Sequence, residues 1–147
     1  MKRGQISLDF LFAITLITIT MVNLVYIANS EVAHSETFDA ATKLKAFSVD
    51  VRDSVVKVYS AGDGFSIRKE LPIELNAGEG VTITLDSSTN TVIVNATLGG
   101  RTYRVNQPSP VPIGRNSSVT LTDTKRDFWI VAEYNETEGR LDVFLSP

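Results

Sequence analysis

The chain has 147 residues, of which 43% are hydrophobic and 21% charged, with a formal net charge of −3 and no cysteine. That length suits one domain with a moderate core. The missing thiols exclude a disulfide framework, a thiolate zinc site, an iron–sulfur cluster and a cysteine nucleophile. The mildly acidic balance lacks the basic face that a nucleic-acid partner requires.

The averages conceal an uneven chain. Residues 10–30 carry no formal charge, and these 21 residues would span about 31 Å as a helix, the thickness of a bilayer hydrocarbon core. Lys2 and Arg3 precede this run, and the next lysine or arginine is Lys43. Positive charge stays on the cytoplasmic side, so the remainder of the chain is expected outside the cell. An ordinary secretory signal peptide has a shorter apolar stretch of roughly 7–15 residues, although Ala28-Asn29-Ser30 loosely suits such a cleavage site.

Beyond Glu31 the pattern turns amphipathic. Ala40, Leu44, Phe47, Val51, Val55 and Val58 recur at spacings of three or four, with Glu36, Asp39, Lys43, Lys45, Asp50, Arg52, Asp53 and Lys57 on the other faces. Neither glycine nor proline occurs between Gln5 and Ala61. The pattern predicts one long helix over 5–61, apolar over 8–30 and amphipathic over 31–61. Its length is on the order of 80 Å. Gly62-Asp63-Gly64 ends it.

Residues 62–147 hold all five prolines and eight of the nine glycines, and they read as β structure. Strands are predicted at 65–70, 81–85, 91–97, 101–106, 118–123, 127–134 and 140–145, separated by turn signals at 86–90, 99–100, 108–112 and 135–139. Threonine on alternate positions suits a solvated face. The expected class is therefore α+β, a long N-terminal helix followed by a small antiparallel β-sandwich-like domain.

The segment Gln5-Ile6-Ser7-Leu8-Asp9-Phe10-Leu11 follows Gly4 and heads the apolar run. It resembles the class III signal peptides of archaeal type IV pilins, which typically carry a glutamine-x-serine-x-glutamate-phenylalanine-leucine motif after the cleavage point. Asp9 stands where that family usually has glutamate. The glycine-rich start typical of archaellins is missing. The resemblance implies cleavage between Gly4 and Gln5 by a prepilin peptidase, removing residues 1–4 and retaining the helix. It further implies a structural subunit of a surface adhesion filament, inserted in the cytoplasmic membrane with its N-terminus inside before assembly. Its partners would be copies of itself, an assembly ATPase and a membrane platform.

Residue chemistry bears on the same reading. Loss of Lys2 and Arg3 leaves 12 basic against 17 acidic side chains, a net of −5. Asp9 would then lie about one helical turn from a new α-amino group at Gln5, where a carboxylate also complements the helix dipole. It either pairs with the amine of its own or a neighbouring Gln5, setting axial register, or stays wetted at the headgroups. Phe10, Phe12, Leu16, Ile17, Ile19 and Val22 would supply the core of a helix bundle. Thr15, Thr18, Thr20 and Asn23 either bond back to the preceding turn or help helices pack.

Three sequons lie in the outer half, at Asn95, Asn116 and Asn135, and are expected as glycan acceptors. Catalytic signals are missing: His34 has no i, i+4 partner, and Gly62-Asp63-Gly64 lacks the spaced carboxylates of a calcium loop. Phe128, Trp129 and Tyr134 read as core aromatics. No enzyme activity and no cofactor are expected. Two alternatives stay open: a minor pilin, and a membrane-anchored or secreted β-domain that binds a partner without polymerising.

Overall fold

A computed structural model describes the backbone of residues 2–147 and the side chains of that stretch apart from residues 2–7 and 32–38. The class is α+β. Helix α1 (Lys2–Ala61) runs for 60 residues, in keeping with a sequence that offers no breaker after Gly4. It stops at Gly62, whose φ of +93° is disfavoured for a residue with a β-carbon, and whose N–H bonds to the Val58 carbonyl at 3.2 Å. The following turn is tied to the sheet at once: Gly64 N donates to the Ala132 carbonyl at 2.9 Å, and Asp63 Oδ1 accepts from Tyr134 N at 2.7 Å.

Seven strands follow: β1 (Ser66–Glu70), β2 (Gly80–Asp86), β3 (Thr91–Leu98), β4 (Arg101–Pro108), β5 (Ser117–Leu121), β6 (Asp127–Asn135) and β7 (Arg140–Ser146). They form a three-stranded sheet in the order β1-β6-β7 and a four-stranded sheet in the order β4-β3-β2-β5, with every pairing antiparallel. Alternation dictates the faces. Val81, Ile83 and Leu85 stand opposite Ala96, Val94 and Val92, and all six are buried. On the other face Thr82 bonds to Thr120 at 3.0 Å and Thr84 to Ser118 at 3.3 Å, a solvated hydroxyl ladder.

The chain packs as two compact units, Met1–Asp39 and Ala40–Pro147. The division falls inside α1 because the amphipathic stripe belongs to the β unit. Leu44, Phe47, Val51, Val55 and Val58 are all buried and share one core with the inner residues of both sheets. The sheets approach each other along β5 and β7, where Leu145 N donates to Ser117 Oγ at 3.0 Å. The outermost strands on the other side both reach the helix. Lys69 of β1 pairs with Asp50 at 2.6 Å, and Gln107 Nε2 of β4 bonds to Ser48 Oγ at 3.3 Å. Residues 40–61 thus close the open side of a sandwich.

Phe128 is fully buried, but Trp129 is 41% and Tyr134 51% exposed, so two of the three aromatics expected in the core lie outside it. For Trp129 the cause is the period of two: it neighbours Phe128 and must face the opposite side of β6.

Candidate assembly segment and modification sites

Within Met1–Asp39, Leu8–Glu31 is a helical stretch of 24 residues long and apolar enough to cross a membrane. Phe10, Phe12, Leu16, Ile17, Ile19 and Val22 are all exposed, at 57–71% of their surface. At about 100° per residue these positions are spread around the whole circumference rather than along one stripe. A helix that is apolar all round requires an apolar surrounding on every side, either lipid or other helices.

The threonines and Asn23 of the segment bond back to the helix itself. Thr15, Thr18 and Thr20 each donate their hydroxyl to the carbonyl four residues earlier, on Leu11, Ile14 and Leu16, at 2.8 Å. Asn23 Nδ2 does the same to Ile19 at 3.0 Å. These four residues thus bond back to the preceding turn, as one of the two sequence readings expects. Asp9 is exposed on the same helix. The cleavage pair Gly4 and Gln5, and His34, have side chains outside the described residues.

The three sequons occupy different environments. Asn95 is half-buried on the outer face of β3, flanked by Thr82 of β2 and Arg104 of β4. It borders a depression of about 490 Å³ lined also by Glu79, Thr97, Thr120 and Asp123. Asn135 ends β6 and is half-buried, with its amide used at both ends. Oδ1 accepts from Thr137 N and Glu138 N at 3.1 and 3.2 Å, and Nδ2 donates to Asp142 Oδ2 at 3.2 Å. Asn116 is exposed in the connection before β5, and its Oδ1 accepts from Ser87 N at 2.7 Å and Ser87 Oγ at 2.8 Å.

Two features of this region carry no signal in the sequence pattern. Asp142 is buried on the outer face of β7, bonded to Arg140 Nε at 3.0 Å as well as to Asn135. The loop at Gly114 lies over it so closely that a β-carbon there would overlap the Asp142 carboxylate, and Arg140 clamps the loop through the Gly114 carbonyl. Arg115 stacks on Phe144, its guanidinium carbon 3.6 Å from the ring centroid.

Two half-buried carboxylates organise turns. Asp86 is held down at about 2 by hydrogen bonds from Ser88 and Thr89 across the β2–β3 turn. Glu79 lies below the usual carboxylate range because the backbone N–H groups of Asn76 and Gly99 donate to it. Among the described residues no group of three His, Asp or Glu side chains could hold a metal ion. Comparison of the chain with protein-family models, curated proteins and solved structures finds no match.

Proposed function

We propose that this chain is a structural subunit of a type IV pilus-like archaeal surface filament. After cleavage between Gly4 and Gln5 its apolar segment leaves the membrane and packs among the same segments of sister chains, with the β unit exposed outside the cell. The observation that carries this reading is the combination of two features. The motif from Gln5 to Leu11 heads a segment, and that segment exposes apolar side chains around its whole circumference with its threonine hydroxyls bonded internally. Such a surface suits lipid and a dry helix bundle equally, because the threonines ask neither surrounding for hydrogen bonds. Prepilin peptidase, an assembly ATPase and a membrane platform would be the partners.

The test is the N-terminal residue of material sheared from cells. A chain beginning at Gln5 and abundant in the filament fraction is expected. A chain beginning at Glu31 indicates ordinary secretion and a retained Met1 a simple anchor, and either result overturns the proposal.

A further inference from the structure

We infer that Asn116 is the glycan acceptor of this chain, and that Asn95 and Asn135 remain unmodified although all three satisfy the sequon. The inference rests on the extracellular placement of Ala40–Pro147 in the reading above, and not on polymerisation.

The reacting atom decides between the sites. In N-glycosylation the amide nitrogen Nδ2 attacks the anomeric carbon of a sugar carried on a lipid-linked phosphate. The Nδ2–C1 bond forms while the C1–O bond to phosphate breaks. The bonding electrons leave with the phosphate, and one of the two Nδ2 protons passes to a base of the membrane glycosyltransferase. An acceptor therefore needs an exposed nitrogen that is not already donating to a buried group.

Asn135 is half-buried and its amide nitrogen is already engaged. Its Nδ2 is committed to Asp142, a carboxylate only 4% exposed, and its Oδ1 holds the turn at Thr137 and Glu138. Attack from this nitrogen would withdraw a donor from a buried charge, which is costly. Asn95 sits in the interior of β3 with a paired strand on each side, half-buried beside the hydroxyls of Thr82 and Thr120. Its backbone cannot leave the ladder without breaking the four-stranded sheet.

Asn116 meets the requirement. It is exposed and outside any strand, on a connection that carries Pro110, Pro112 and Gly114. Both of its hydrogen bonds fall on the oxygen, from Ser87 N and Oγ, so the amide is oriented by its carbonyl end while Nδ2 donates to nothing among the described residues. The Ser118 hydroxyl, two residues on, is also exposed and accepts from Thr84 Oγ1 at 3.3 Å, which leaves its own proton available.

Trypsin cleavage after lysine and arginine places each sequon in its own peptide, at 70–101, 116–125 and 127–140. Peptide mapping and intact mass of the chain isolated from its native cells should show added sugar on 116–125 alone. Asn116→Gln and Ser118→Ala should each abolish the added mass, whereas Asn95→Gln and Asn135→Gln should leave it complete. Ser118→Ala retains the Ser87 contacts and so separates loss of the sequon from loss of the fold. Sugar on 70–101 or 127–140 overturns the assignment. So does an unmodified chain whose Thr97→Cys variant is labelled by an impermeant maleimide on intact cells. An unmodified and unlabelled chain overturns the extracellular placement together with the site.

Discussion

Phe47 of α1 meets Phe128 of β6 edge to face, with ring centroids 6.4 Å apart and planes at 85°. The contact joins the amphipathic part of the helix to the three-stranded sheet at the centre of the common core. Phe128→Ala should therefore destabilise the β unit by about 3–5 kcal/mol, from lost burial and the cavity left behind. Phe47→Leu should lose chiefly the ring–ring term, about 0.5–1.5 kcal/mol. Urea unfolding of the full chain in detergent, followed by near-ultraviolet circular dichroism, measures both.

Gly114 and Asp142 form a second dependency. Gly114→Ala forces the β-carbon into the carboxylate, and the expected loss is about 1–3 kcal/mol. Asp142→Ala relieves that clash but leaves Arg140 Nε and Asn135 Nδ2 without their acceptor, for roughly 1–3 kcal/mol. The double variant should be less destabilised than the sum of the two single losses, and a thermodynamic cycle of thermal unfolding reads the difference.

Asp86 gives a pH signature. Its folded pKa of about 2 lies below the ordinary 3.8, so its contribution is complete above 3.8 and disappears as pH falls through about 2. The amides of Ser88 and Thr89 should shift and lose hydrogen-exchange protection across that window. Asp86→Asn should remove the titration while leaving the β2–β3 pairing in place. A midpoint near 3.8 in the parent chain would contradict the hydrogen-bonded turn.

Under the filament reading, Asp9→Ala should be processed normally at Gly4–Gln5 yet fail to polymerise, and Asp9→Glu should assemble. Immunoblotting separates cleaved from uncleaved chain, and sheared fractions report assembly. Normal filaments from Asp9→Ala would show that its carboxylate has no part in register.

Much of the fold was legible because periodicity encodes burial. The stripe from Leu44 to Val58 and the alternation in β2 and β3 predict which side chains face inward, and those residues are buried. Pairing is another matter. Alternation names a face but not a partner, so nothing local in Ser66–Glu70 shows that it lies against β6, about sixty residues later. The division of the chain at Asp39 falls where the amphipathic stripe begins, at Ala40, a few residues beyond the end of the apolar run. The sequons look alike as three-residue patterns. What separates them is long-range: Asp142 behind Asn135, and Ser87 holding Asn116.

The outermost strands have a consequence for crowding. β1 is five residues long and carries Arg68, Lys69 and Glu70, while β4 carries Arg101 and Arg104 and ends at Pro108. Each resists the addition of a foreign strand, by shortness and charge in one case and by charge and a missing donor in the other. The remaining two edges, on β5 and β7, are turned toward each other. Many copies of this unit could therefore be held at very high local concentration without their sheets fusing into a continuous ribbon; under the filament reading, contacts between neighbouring units would stay reversible and cohesion would be left to the greasy segment alone.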